Sequence, residues 1–168
     1  IIWLKIGRKV PMFALVTNQI VDLLPQGGSQ CFPFYIYDED GSNRQENITD
    51  WVLEQFGAYY NDTKISKWDI FHYVYAVLHH PQYHTTYEAN LKRELPRIPF
   101  TPDFWGFAHA GEQLAQVHVH YEEQDAYPLD MLENSALPLD WRVKRMRLSK
   151  DKTQILYNDF LTLAGIPP

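Results

Sequence analysis

The sequence has 168 residues, of which 45% are hydrophobic and 15% aromatic, so it can build a core and differs from a disordered chain. Its 15 Lys and Arg residues stand against 21 Asp and Glu residues, which gives a formal net charge of −6. Domains that bind nucleic acid on their own usually carry a basic excess, so composition alone argues against strong DNA binding.

The first part of the chain is predicted to be rich in strands. Residues 12–24 and 32–37 contain many β-branched and aromatic residues, and the turn-forming residues 25–29 separate them. The polar residues 38–44 predict a loop. We therefore expect a strand-rich entry over residues 1–41.

A helical block is predicted over residues 47–123. Asn47 or Thr49 can cap a first helix that runs to about Tyr60, because both side chains can accept a hydrogen bond from a free backbone N–H group. The block should form the centre of the fold.

A second helix is predicted to begin after Ser66, which is spaced as a capping partner of Asp69. Apolar residues then recur with a period of 3.6 residues as far as Pro81. Aromatic residues and alanine cover much of the remaining surface. This helix should be central and buried.

Two further helices complete the predicted block. Pro81 can occupy the first turn of a helix that runs to about Leu95, after which Pro96 and Pro99 force an extended connection. A strong start signal then precedes the longest predicted helix, at about 102–123, in which apolar residues recur at three- and four-residue steps.

The last predicted element is a hairpin over residues 141–160. A Pro-containing connector, 127–140, leads to residues 141–148, in which apolar and basic residues alternate. Residues 149–152 favour a turn, and residues 153–158 are again typical of a strand. The hairpin should carry one basic face.

These elements predict an α+β fold in which a central helical block is flanked by strand-rich N- and C-terminal segments. We expect a single domain over residues 1–168. Because the chain starts without Met inside an apolar run and stops at Gly165-Ile166-Pro167-Pro168, we also expect it to be an excised fragment of a larger polypeptide.

Motifs of catalysis are missing from the sequence. Cys31 lies in an apolar predicted strand, where free thiols are usually buried, and no G-x-S-x-G elbow occurs. Phosphate-binding loops, the Glu-x-Lys segment of metal-dependent nucleases and the Pro-Pro-aromatic signature of amino-methyltransferases are also missing. We expect no catalytic residue in this chain.

The histidines favour structural roles over a metal site. His118 and His120 are two residues apart on a predicted helix and would point about 200° apart. His79, His80 and His84 surround a helix end, where an imidazole can cap free carbonyls. We expect neither a metal nor a cofactor to bind here.

Local clusters of basic residues are the remaining candidates for a function. One cluster follows the third predicted helix and the other lies in the hairpin, and either could meet phosphates or base edges. Each residue taken alone is more simply explained as a solvated charge or as a partner of a helix C-terminus. The candidate DNA-contact residues are Lys92, Arg93, Arg97, Arg142, Lys144, Arg145, Arg147, Lys150 and Lys152.

Cellular location is indicated by two further features. One cysteine cannot form an internal disulfide, which suits a reducing compartment. No apolar run reaches the roughly 20 residues that cross a bilayer. We expect a cytoplasmic protein without membrane contact.

Several long strings resemble a known family. They are FPFYIYDEDG (32–41), NRQENITDW (43–51), DIFHYVYAVLHHPQY (69–83), NLKRELPRIPF (90–100) and VKRMRLSKDKTQILYNDF (143–160). In this order they resemble the C-terminal specificity region of bacterial Type ISP restriction–modification enzymes and related helicase–methyltransferase polypeptides. The resemblance covers nearly the whole chain.

The resemblance implies a non-catalytic segment that recognises a short sequence in double-stranded DNA. It also implies methyltransferase and helicase domains in the same polypeptide as partners. The parent would be an adenine DNA methyltransferase and ATP-dependent nuclease that uses S-adenosylmethionine, ATP and magnesium.

Two alternatives remain open beside DNA recognition. The first is a structural coupler that packs against the methyltransferase domain with little DNA contact, in accord with the acidic balance. It predicts an exposed apolar patch, for which Ile1 to Leu4 are candidates. The second is an enzyme fragment with a hidden site.

Overall fold

A computed structural model describes residues 1–7, 11–22, 28–143 and 145–167 of the chain. The chain divides into two compact units, Ile1–Gln124 and Asp125–Pro168. Helices and antiparallel sheets together confirm the predicted α+β class. A single domain over residues 1–168 stays a prediction.

The described part of the first unit contains two small sheets followed by four α-helices. The strands are β1 (Ile2–Lys5), β2 (Phe13–Val16), β3 (Gln30–Phe32), β4 (Tyr35–Ile36) and β5 (Gln45–Glu46). The helices are α1 (Asp50–Tyr60), α2 (Lys67–His79), α3 (Pro81–Leu91) and α4 (Phe104–Val119). A 3₁₀ turn, Tyr121–Glu123, follows α4. Among the described residues, the helices are too short or too polar to span a lipid bilayer.

β1 is the central strand of the first sheet, whose order is β2-β1-β3 with antiparallel pairing throughout. Its Ile2 pairs with Val16 on one side and Phe32 on the other, and its side chains Ile2 and Leu4 are each only 3% exposed. The prediction of an exposed apolar patch at Ile1 to Leu4 is therefore wrong, because Ile2 and Leu4 enter the core.

The two predicted N-terminal strands are shorter than expected. β2 stops at Val16, and the Thr17 hydroxyl then accepts a hydrogen bond from the Gln19 backbone, which turns the chain. Residues 23–24 lie outside the described residues. The predicted strand 32–37 is divided at Pro33, which has no N–H to donate, into β3 and β4 of different sheets.

Side-chain caps fix the starts of three of the four described α-helices. Thr49, one of the two candidates, caps α1 by accepting from the Val52 backbone. Ser66 and Asp69 form the predicted capping box at the start of α2. Asp103 caps α4, which is why this helix begins at Phe104 and not at residue 102.

The predicted C-terminal ends of α3 and α4 are wrong by a few residues. α3 ends at Leu91 and not near residue 95, and the backbones of Arg93 and Glu94 donate to the Asn90 carbonyl oxygen in a terminal turn. α4 ends at Val119, and the 3₁₀ turn replaces its expected last turn.

α2 and α4 form the centre of the first unit. The predicted burial of α2 is confirmed, since Tyr73 and Tyr75 are fully buried and Val77 is 1% exposed. The two helices approach so closely at Gly111 that a Cβ atom there would lie 1.9 Å from the His72 carbonyl oxygen. Only glycine fits this contact without moving a helix backbone.

The second unit is a four-stranded antiparallel sheet with the order β6-β9-β8-β7. Its strands are β6 (Asp130–Glu133), β7 (Arg147–Leu148), β8 (Gln154–Leu156) and β9 (Leu161–Ala164). Among its described residues only Phe160 and Leu161 are buried. Most of its apolar side chains therefore meet solvent.

The predicted C-terminal hairpin is confirmed in its pairing and wrong in its extent. β7 pairs with β8 in antiparallel register, but the described residues before Arg147 do not continue the strand. The expected connector 127–140 contains β6, and β9 was not predicted. The described strands of this sheet also lack the expected basic face. Arg147 is the only basic residue that they contain.

We expect Gly111→Ala to lower the free energy of unfolding by about 1–3 kcal/mol or more, because α2 and α4 must move apart to admit the methyl group. Gly57→Ala is the matched control, since a Cβ there would meet only the Asp62 carbonyl oxygen at 3.4 Å. Helix propensity should make that change neutral or stabilising by up to about 1 kcal/mol. Thermal unfolding measures both, and equal melting temperatures for the two variants would contradict the proposed contact.

Candidate nucleic-acid interface

The first basic cluster, after α3, is partly neutralised by neighbouring acids. Lys92 pairs with Glu88 at 2.5 Å, and Arg97 pairs with Glu94 at 3.1 Å. The ammonium group of Lys92 lowers the pKa of the Glu88 carboxyl group. Arg93 is exposed and forms no ion pair with a described residue. Two of the three predicted contacts thus already have an anionic partner.

The second cluster, in the C-terminal unit, is exposed and free of such partners. Within the described part of the chain its side chains take part in no ion pair. The described members are Arg142, Arg145, Arg147, Lys150 and Lys152. The remaining candidate, Lys144, lies outside the described residues. This cluster therefore has more charge available for an external anion.

Charge is distributed unevenly along the chain. Residues 142–152 contain six Lys and Arg residues and one acidic residue, Asp151. Residues 125–168 contain six basic and six acidic residues and are formally neutral, so the net charge of −6 belongs to residues 1–124. The negative net charge, which argued against DNA binding, is therefore not a property of residues 142–152, the basic segment.

Asp151 shapes the turn between β7 and β8. Its carboxylate accepts hydrogen bonds from the Ser149 hydroxyl at 2.5 Å and the Thr153 backbone at 3.3 Å, and these bonds lower the pKa of Asp151. The Lys152 backbone donates to the Ser149 carbonyl, and Lys152 has a positive φ of 62°. The turn thus presents Lys150 and Lys152 at its tip.

The side chain of Asn158 fastens the start of the basic segment. Its amide nitrogen donates to the carbonyl oxygens of Asp140 at 2.7 Å and Arg142 at 3.1 Å. Its amide oxygen accepts from the backbones of Phe160 at 2.9 Å and Leu161 at 2.7 Å. All four hydrogen bonds of this carboxamide are therefore made inside the protein.

Tyr157 completes this attachment, because its hydroxyl donates to the Trp141 carbonyl oxygen at 3.0 Å. Three consecutive carbonyls, from Asp140 to Arg142, are thus bonded to side chains, and they make no strand ladder. This explains why the predicted strand does not begin at Trp141. Sequence reasoning missed the role of Asn158, although asparagine between two strands is a typical turn residue.

A depression of about 380 Å³ lies beside the basic segment. It is lined by Arg145, Arg147, Leu156, Asn158 and Asp159. Guanidinium groups can make paired hydrogen bonds to phosphate or to the guanine edge, and a carboxylate can accept from the cytosine amino group. The lining therefore has the chemistry to contact a nucleic-acid backbone or its bases.

The other candidate groups have structural roles. His84 donates to the Leu78 carbonyl oxygen at 2.6 Å, as expected of a histidine that caps a helix end. His118 bonds the hydroxyl of buried Tyr75 at 2.5 Å, and burial raises the pKa of Tyr75 to about 12. Burial also raises the pKa of the Cys31 thiol, which disfavours a nucleophilic thiolate. The described residues include no group able to hold a metal ion.

The sequence matches the family described as the Type ISP C-terminal specificity domain over residues 1–168. The chain belongs to this family. The resemblance found in the sequence strings is thereby confirmed, and the match extends over both units of the specificity domain. No curated protein matches the chain.

Solved structures of longer proteins are similar to this specificity domain. A cryo-EM structure of a DrdV–DNA complex has a TM-score of 0.85 and 39% identity, over 99% of this chain and 18% of that one. A nuclease-deletion mutant of the Type ISP restriction–modification enzyme LlaGI, in complex with a DNA substrate mimic, has a TM-score of 0.73 and 30% identity. The match covers 99% of this chain and 14% of the LlaGI chain. The ATP-dependent Type ISP restriction–modification enzyme LlaBIII, bound to DNA, has a TM-score of 0.76 and 27% identity. The match covers 99% of this chain and 11% of the LlaBIII chain. The specificity domain therefore spans less than a fifth of each of these chains.

We expect Asn158→Ala to loosen the segment that precedes β7, because the change removes all four hydrogen bonds of the carboxamide. The loss should cost about 1–3 kcal/mol, and trypsin should cleave faster after Arg142 and Arg145. Asn18→Ala is the control, since the Asn18 side chain accepts only from the Gln19 side chain among the described residues. Unchanged tryptic cleavage in Asn158→Ala would contradict the assigned role.

Proposed function

We propose that this specificity domain recognises a short sequence in double-stranded DNA for a bacterial restriction–modification polypeptide. The observation that carries the proposal is the segment 142–152, where six basic residues accompany one acid and the described basic side chains are exposed and unpaired. Family membership supports the same function, as do the complexes of DrdV, LlaGI and LlaBIII with DNA or a DNA mimic.

Recognition by this segment would combine two kinds of contact. Phosphate contacts by Lys and Arg give affinity and orient the protein, whereas contacts to base edges give sequence preference. Arg145 and Arg147, which line the depression, are candidates for contacts to both phosphates and base edges, and each paired contact to guanine contributes roughly 1–3 kcal/mol of discrimination. Lys150 and Lys152, at the turn, are the candidates for phosphates.

Catalysis would belong to other parts of the same polypeptide. We propose that methyltransferase and helicase domains of the parent use S-adenosylmethionine, ATP and magnesium for adenine methylation and ATP-dependent cleavage. The specificity domain would contribute no catalytic residue and would place those domains at the target. A role on bacterial DNA implies a cytoplasmic location.

A structural coupler remains the second candidate, and one observation favours it. The register of the second sheet places Met131, Leu163, Ile155 and Leu148 opposite one another in a row that crosses all four strands. Met131 is 55% exposed and Leu148 is 58% exposed. Such a row could pack against a neighbouring domain of the polypeptide.

We expect Gln substitutions of Arg142, Arg145 and Arg147 to weaken DNA binding by the full polypeptide. A plot of log Kd against log salt for a mixed-sequence duplex should lose about one unit of slope for each side chain that meets a phosphate. Lys92→Gln with Arg97→Gln is the matched control, because both cations already pair with glutamates.

The same experiment separates the two candidate functions. DNA recognition by this segment predicts a smaller slope in the Arg142, Arg145 and Arg147 variants and little change in the control pair. If these three variants bind DNA as the unchanged polypeptide does, the segment does not contact DNA and the structural coupler is the better explanation.

A further inference from the structure

The start of the basic segment exposes apolar side chains as well as charged ones. Trp141 is 51% exposed, Val143 is 54% and Met146 is 58%, and they alternate with the exposed Arg142 and Arg145. In an ordinary amphipathic strand the apolar residues would face a core and only the charges would meet water. Here neither set is buried.

The backbone that carries Trp141 is nevertheless held firmly. The carbonyl of Trp141 accepts from the Tyr157 hydroxyl, and the carbonyls on either side accept from the Asn158 amide. The indole ring also meets the buried ring of Phe160 edge to face, with 6.1 Å between the ring centroids. An exposed aromatic side chain on a fixed backbone loses little conformational entropy when it binds a partner.

The basic and apolar side chains of this segment lie within a few residues of each other. A partner must therefore present negative charge and apolar surface close together. Duplex DNA does so, because its phosphates flank grooves that expose the thymine methyl groups, and the base faces become accessible where a step is unstacked. Apolar side chains that are carried beside basic ones can enter a base step and unstack it. Charge complementarity therefore favours DNA over a neutral protein surface as the occupant.

We infer that Trp141, supported by Val143 and Met146, inserts its side chain against the DNA bases and unstacks a base step while the neighbouring arginines hold the phosphates. This inference rests on the proposed function, since it concerns how the same segment meets DNA. It assigns Trp141 a direct binding role, and it assigns Asn158 a positioning role through the carbonyls that flank Trp141.

The test uses the full polypeptide and a mixed-sequence duplex labelled with 2-aminopurine, whose fluorescence rises when its base is unstacked. Trp141→Ala should raise Kd about tenfold at every salt concentration and leave the salt slope unchanged, because stacking involves no counterion release. It should also remove the fluorescence rise. Trp141→Phe should restore much of both signals, because a flat ring remains.

Two further variants guard against a folding defect. Met146→Ser removes an exposed side chain outside the core and should weaken binding without a change in melting temperature. Ile20→Ser is the control, because Ile20 is 98% exposed and lies in the other unit, far along the chain from the basic segment. It should leave Kd and fluorescence unchanged.

The outcomes are distinguishable. If Trp141→Ala and Met146→Ser bind the duplex as the unchanged polypeptide does, with the same fluorescence rise, the inference is overturned while the proposed function stands. A reduced salt slope in Trp141→Ala would also overturn it, since the indole would then act only by placing arginines. If the unchanged polypeptide does not bind the duplex at all, the proposed function itself fails.

Discussion

The close approach of α2 and α4 at Gly111 is the contact on which residues 1–124 depend. Because the Cα of Gly111 lies against the His72 carbonyl, the aromatic side chains of α2, Tyr73 and Tyr75 among them, are enclosed. The β1-centred sheet adds Ile2 and the rest of its apolar side to the same core. This unit is stabilised by packing, and two of its three candidate DNA-contact residues, Lys92 and Arg97, are paired with glutamates.

Residues 125–168 are held together by hydrogen bonds more than by a buried core. Their described part buries only Phe160 and Leu161, and hydrogen bonds from Asn158 and Tyr157 replace the missing core contacts around the basic segment. Fixing a backbone through its carbonyls leaves the side chains free to face outward. That arrangement allows Trp141 and its basic neighbours to be both ordered and exposed, which a binding segment requires.

Features set by nearby residues could be predicted from the sequence, and features set by distant ones could not. The capping box of Ser66 and Asp69 spans three residues and was found, as was the burial of α2. β6 could not be predicted because it is stabilised by the distant β9, with Asp130 opposite Ala164, and β9 itself lies between β6 and β8. Asn158 bonds carbonyls 16 and 18 residues earlier, so its role needed the fold. The sequence analysis located the basic clusters, and counting charges over segments would also have shown that the net charge of −6 belongs to residues 1–124.

If the domain recognises DNA as proposed, the segment 142–152 lies against the duplex in the bound polypeptide. The most direct measurement is photocrosslinking, with a photoreactive residue placed at Lys150 and, as a control, at Ile20 in the full polypeptide. We expect a covalent DNA adduct from position 150 that an excess of unlabelled duplex removes, and none from position 20. Binding of the duplex without any adduct from position 150 would contradict it.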